Sequence, residues 1–169
     1  AAYGAAQAGR DYHTVDISER TLRDVYLPPF KAAVDEGVAT FMTSFNEYDG
    51  VPASGSKFLL TDVLRDEWGF DGFVVTDYTS INEMVPHGYA KDLEQAGEQA
   101  LNAGVDMDMQ GAVFMENMVK SVEEGRVSQA NIDRAVRRVL EMKYRLGLFE
   151  DPYRYADEAR QEATLYKPE

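Results

Sequence analysis

The stretch Gly72-Phe-Val-Val-Thr-Asp-Tyr78 decides how this chain is read. Phe73 to Thr76 form a short apolar run of the kind found in strands covered on both faces, as in parallel sheets. Asp77 stands where such a strand would emerge at its C-terminal end, and an aromatic residue follows at once. In α/β barrels that end carries the active site. The same aspartate would serve equally as a helix N-cap or a turn residue, so the flanking segments have to decide between the two.

Those segments alternate. Residues 1–16 are small, polar and irregular, and read as a loop. Ser18 is a suitable N-cap for a helix through Leu22, Val25 and Tyr26, and Pro28-Pro29 opens a second helix that stops at Gly37. Thr40 to Phe45 reads as a strand, and Asn46 to Ser56 as a polar loop carrying the turn signal Asp49-Gly50. Phe58, Leu59, Val63, Leu64 and Trp68 fall on helical spacing up to Gly69. After the strand leading to Asp77, Ile81 to Asp92 reads as a loop and Leu93 to Ala103 as a helix ended by Gly104. Val105 to Met109 then reads as a strand, and Val113 to Glu124 as a helix stopped by Gly125. The last long helix begins after Ser128 and stops at Gly147. Helices of 10–15 residues alternating with strands mean an α/β fold of parallel βα units. Three strands alone would leave sheet edges unpaired, so the pattern points to part of a larger unit such as half of a barrel. The charged tail from Asp151 reads as a linker, dividing the chain at 1–150 and 151–169.

Composition narrows the function. With 169 residues, 44% of them hydrophobic and 28% charged, the chain can build one domain with a core. A net charge of −13 argues against nucleic acid and anionic membrane surfaces as partners, since both reward basic patches. There is no cysteine and there are only two histidines, so no metal site is recognisable and no cofactor is expected. No apolar run has the length of a membrane span.

Five blocks in order resemble glycoside hydrolase family 3, in particular its bacterial β-glucosidase branch. They are Val15-Asp-Ile-Ser-Glu-Arg-Thr-Leu-Arg-Asp-Val-Tyr-Leu-Pro-Pro-Phe30, Phe41-Met-Thr-Ser-Phe-Asn-Glu-Tyr-Asp-Gly-Val-Pro-Ala-Ser54, Leu60 to Asp77, Ala103-Gly-Val-Asp-Met-Asp-Met109, and Arg138 to Tyr153. The resemblance implies that the chain is the C-terminal half of a (β/α)8, TIM-like barrel. A preceding half-barrel, carrying a sugar-binding Lys-His pair, and a following α/β sandwich domain, carrying the general acid, would lie outside it. It implies a retaining, exo-acting β-glucosidase, with periplasmic or extracellular location. β-Xylosidase and β-N-acetylglucosaminidase are the alternatives, and an isolated chain of this length is expected to be inert without its complement.

The resemblance makes Asp77 the catalytic nucleophile. Tyr78 falls where the family often places an aromatic beside the sugar. Met42 and Phe45 match positions lining the glucose subsite, with phenylalanine standing where a tyrosine is common. Each of these three is equally readable as core or loop packing. Glu83 reads as a solvated loop carboxylate, Asp106 as a structural hydrogen-bonding residue, and Met107 and Met109 as core. Asp11 and His13 lie on a loop that supplies a His-Asp acid/base pair in a β-N-acetylglucosaminidase branch. Their flanking residues depart from that branch, so His13 reads as an exposed loop histidine. His87 stands alone on a Pro-Gly loop.

Overall fold

Ser18 begins the first helix as its position demands. Its hydroxyl accepts from the Thr21 N–H at 3.1 Å, and α1 (Glu19–Thr21) widens at once into a π-wound segment, Leu22–Tyr26. Leu27 N–H closes that wide turn on Leu22 O, and the two prolines enter α2 (Pro28–Asp35) in its first turn, where an N–H has no helical partner anyway. β1 (Thr40–Met42) follows, then a small antiparallel hairpin, β2 (Glu47–Tyr48) with β3 (Val51–Pro52), inside the segment expected to be a polar loop. A second π-wound helix, Phe58–Glu67, leads to β4 (Phe73–Val75). Four α-helices complete the domain: α3 (Ser80–Glu83), α4 (Leu93–Ala103), α5 (Val113–Glu123) and α6 (Gln129–Arg145). In the tail, α7 (Glu158–Thr164) is exposed along its length. The structure, a computed structural model, describes residues 3–165. The ends of the loop expected at 1–16 and of the linker expected at 151–169 lie outside them.

β1 and β4 pair in parallel, with Thr40 opposite Phe73, Phe41 opposite Val74 and Met42 opposite Val75. Alternation then sorts the side chains. Val74 is fully buried, and Phe41 packs beside it in the main core cluster with Leu60, Leu64, Phe70, Ile81 and Met84. Phe41 also meets Phe70 edge-on at 5.0 Å between ring centres. Gly72 lets the two strands close up, because a Cβ there would overlap the Ala39 carbonyl and the Phe70 ring. Gly97 does the same between helices, since a Cβ on α4 would strike Val113 and Met118 of α5. The expected helix-stop glycines 37, 69, 104, 125 and 147 all have the left-handed φ that ends a helix.

The strand expected at Val105 to Met109 is reduced to one parallel bridge, Val75 with Met107. The reason lies in Asp106. Val74 O accepts from both the Asp106 and Met107 N–H groups, while Val74 N–H donates to the Asp106 carboxylate at 2.9 Å. A side chain thus replaces the carbonyl that a regular third strand would supply. That carboxylate, almost wholly buried, also accepts from Arg65 at 2.6 Å and from Arg138 of α6 at 2.9 Å. Burial lowers the Arg65 guanidinium to about 10, Asp106 opposing the shift, so it stays charged at neutral pH.

The residues before α1 are more ordered than a loop. Ala6 bridges Val15, and Val15 bridges Tyr48, so this segment is bound to the hairpin. Val15, Leu22, Leu27 and Val63 form a second buried cluster there. A third, of Leu101, Met118, Val127 and Ala135, lies between α4, α5 and α6. In contrast, Met115 and Val119 of α5 and Val136, Leu140 and Tyr144 of α6 are exposed, and β1 has a strand neighbour on one side only among the described residues.

Removing Asp106 would leave Arg65 charged and unpaired in the interior. Asp106→Ala should therefore cost about 3–5 kcal/mol. Denaturant unfolding would read this, and a loss below about 1 kcal/mol would place the pair among weak surface bridges.

Candidate active site

The C-terminal ends of the strands converge on Asp77. Thr76, just before it, is fully buried, and its hydroxyl accepts from the Met109 N–H at 2.8 Å. Thr76 N–H donates to Met107 O, and Thr79 N–H to Met109 O, so the loop after Met107 is fastened beside the Asp77 turn. Asp77 itself accepts from the Tyr78 N–H at 2.7 Å, and Ser80 N–H returns to the Asp77 carbonyl at 3.2 Å. Thr79 completes the turn with φ 57°, a left-handed backbone that side chains rarely adopt. No lysine, arginine or histidine pairs with Asp77 among the described residues.

The other predicted site residues lie around this end. Met42, opposite Val75 in register, is exposed on the face away from Phe41 and Val74, the face to which alternation also assigns Asp77. Tyr78 projects into solvent, 60% exposed. Phe45 is half-buried and stacks on Tyr12, with ring centres 4.3 Å apart and planes inclined by 27°. Tyr12, at φ 68°, was not readable as a site residue from sequence; only its neighbours Asp11 and His13 carried a chemical signal.

Three carboxylates share this face. Partial desolvation, then the charges of Glu83, Asp11 and Asp77, push the Tyr12 hydroxyl above its ordinary value. Burial, then Asp77 and Asp11, raise Glu83, with His87 opposing. Glu83 is therefore not the freely solvated loop carboxylate that the sequence implies. Asp11 accepts from the Tyr12 N–H, and no hydrogen bond joins it to the exposed His13. Met109 is half-buried and Met107 is 43% exposed, so Met107 is not core. No group of three or more His, Asp or Glu arranged to hold a metal occurs among the described residues.

Beneath the turn lies a cluster that sequence reading missed. The hydroxyls of Thr43, Ser54 and Ser80 form a buried triangle, with edges of 2.8 Å (Thr43–Ser54), 2.7 Å (Ser54–Ser80) and 3.3 Å (Thr43–Ser80). Nothing in the spacing of three small polar residues announces it, because they meet only when the end of β1, the turn after the hairpin and the start of α3 come together.

The family model for the glycosyl hydrolase family 3 N terminal domain matches residues 1–142. The chain belongs to glycoside hydrolase family 3. Its fold is likewise that of known members. Superposed on the crystal structure of β-glucosidase from Listeria innocua in complex with glucose, it gives a TM-score of 0.93 at 42% identity, covering 98% of this chain and 23% of that one. The half-barrel of parallel βα units is thus the family's barrel region. A periplasmic β-glucosidase of Salmonella typhimurium is 46% identical over 153 residues, which are 90% of this chain and 20% of that protein. A β-xylosidase of Formosa agariphila is 42% identical over 144 residues, 80% of this chain and 20% of that protein. The family 3 chain therefore spans about a fifth of the length of these curated relatives.

Because Glu83 is raised, folding favours its protonated form. That contribution is complete at acidic pH and is lost as pH rises through the raised value, above which its charge works against Asp77 and Asp11. Glu83→Gln should leave Tm unchanged in acid and raise it near neutral pH. Melting curves of both proteins across pH would check this, and parallel curves would refute it.

Proposed function

We propose that this chain is the nucleophile-bearing part of a retaining, exo-acting β-glucosidase that hydrolyses terminal β-D-glucosyl residues of oligosaccharides or glucosides. The observation that carries the reading is the placement of Asp77 on the turn leaving β4, at the strand end where α/β barrels do their chemistry. The β-glucosidase names of the Salmonella and Listeria relatives support the sugar. The first of these names also supports a periplasmic or extracellular location, and no helix among the described residues is long and apolar enough to cross a membrane.

In this reading the Asp77 carboxylate attacks the anomeric carbon as the bond to the leaving oxygen breaks, giving a glycosyl ester. A second carboxyl group, roughly 5–5.5 Å away, protonates the leaving oxygen and then takes a proton from the water that cleaves the ester. Asp77 has to stay ionised to act. Basic groups that would hold it so belong to the preceding half-barrel, and the acid to the following α/β sandwich domain. Tyr78, Met42 and Phe45 offer apolar and aromatic surface to the C–H face of a pyranose. Tyr12, stacked on Phe45, extends that surface.

The exposed apolar residues of α5 and α6 and the open edge of β1 are then surfaces that the rest of the barrel covers. A second reading, β-xylosidase, is favoured by the Formosa relative. Turnover of p-nitrophenyl β-glucoside and β-xyloside by the complete protein separates the two.

Asp77→Asn in the complete protein should lower kcat by about 10³-fold or more. Mass spectrometry after treatment with 2-deoxy-2-fluoro-β-glucosyl fluoride should find the adduct on the peptide carrying Asp77. An adduct elsewhere, or near-normal turnover by the asparagine variant, would remove Asp77 from the role. Residues 1–169 alone should show no turnover, and activity of that chain by itself would overturn its assignment as a part.

A further inference from the structure

We propose that the Thr43–Ser54–Ser80 hydroxyl triangle positions Asp77, an inference that rests on the reading of Asp77 as nucleophile. The three residues are 4%, 1% and 4% exposed. Each hydroxyl owns one proton and can accept others, so a ring in which each donates once and accepts once uses all three protons without water. The ring joins three segments far apart in sequence. Thr43 follows β1 and is itself held by its N–H on Val75 O at 3.0 Å. Ser54 belongs to the 3-10 turn Ala53–Gly55 after the hairpin. Ser80 opens α3, three residues beyond Asp77, and donates its N–H to the Asp77 carbonyl.

Ser54 stands on a firm base. Gly55 beside it is pressed by Tyr89 and Met84, where even a Cβ would meet the Tyr89 ring at 2.8 Å. The Asp77 turn is therefore pinned at both ends, by buried Thr76 on the Met109 N–H and by Ser80 on the ring. Between these pins stand Asp77, exposed Tyr78 and left-handed Thr79, whose N–H adds a backbone bond to Met109 O at 3.0 Å. Asp77 and Thr79 are half-buried, but their side chains hydrogen-bond only within the turn, so the pins set the direction of the Asp77 carboxylate. Hydrogen bonds suit this task, because their strength falls with angle as apolar contact does not. A nucleophile misplaced by about 1 Å loses about 10²-fold in rate. Ser54, Thr43 and Ser80 are thus positioning residues that act through the turn.

The experiment uses the complete protein with Thr43→Val and Ser80→Ala, and Thr43→Ser as the conservative control. The rate constant of covalent trapping by 2-deoxy-2-fluoro-β-glucosyl fluoride reads nucleophile placement. Glucose affinity reads the pocket, and Tm reads stability. Trapping should slow about 10–100-fold in the first two variants, with glucose affinity within about 3-fold and Thr43→Ser close to the unaltered protein. Trapping unchanged while Tm falls would make the ring a stability element and overturn the proposal. A proportional loss of trapping and glucose affinity would also overturn it, as general loosening of the site. If Ser80→Ala does not fold, Ser80→Cys, which keeps a weak donor of similar size, should show the same slowing, and an unslowed rate would overturn it. Asp77→Asn run alongside separates the two readings. Trapping that survives it removes the nucleophile and the ring's role together, whereas its abolition with unslowed ring variants removes the ring alone.

Discussion

The buried carboxylate of Asp106 is the constraint on which the rest depends. It binds Arg65 from the helix before β4, Arg138 from α6, and the Val74 N–H of β4 itself. Three elements, reached from Asp106 across 32 to 41 residues of chain, are thereby fixed around one charge. Such a group is tolerated in the interior because both oxygens are satisfied and two cations oppose it. Since it takes the place of a strand carbonyl, it also ends regular pairing and releases Met107 onward as a loop. That loop then bonds back to Thr76 and Thr79 on either side of Asp77.

Strain collects at the same end of the sheet. Tyr12, Thr79, Gln110 and Ala112, four of the six non-glycine residues with left-handed backbones among the described residues (the others are Ala8 and Asp49), stand here, each at a cost on the order of 1–3 kcal/mol. They sit in the loops that gather around Asp77 or stack on Phe45, Thr79 and Ala112 as the N-caps of α3 and α5, whereas the helix ends carry glycines. The cost is offset by the packed layer below, where Val74, Ile81, Met84 and Val113 are buried almost completely. A rigid floor thus supports a strained rim. On it stand Asp11, Asp77 and Glu83, and burial first, then these neighbouring charges, raise Glu83 and the Tyr12 hydroxyl.

The same physics accounts for the open sides. A helix normally hides its apolar stripe, yet Met115, Val119, Val136, Leu140 and Tyr144 face outward together. β1 likewise keeps one edge free of strand neighbours among the described residues. Under the proposed function these are the surfaces that the rest of the barrel covers.

By itself the sequence determined what short-range patterns encode. Helical spacing around Leu64, the apolar run Phe73 to Thr76, the Ser18 and Ser128 caps and five helix-stop glycines placed the main elements, because each depends on residues within a turn or two. The same patterns set Asp77 at the C-terminal end of a strand. Tertiary structure decided what depends on partners remote in the chain. Val105 to Met109 has the composition of a strand, but the Asp106 carboxylate took the ladder bond of Val74. The segment through Val15 reads as loop, but Ala6 pairs with Val15 and Val15 with the hairpin, itself hidden in a polar stretch. Tyr12 meets Phe45, and Thr43, Ser54 and Ser80 meet one another, only in the folded chain. Local propensity reaches a few residues, whereas the triangle and the aromatic stack span 11 to 37 residues of chain, and only the folded chain brings them within hydrogen-bonding or stacking distance.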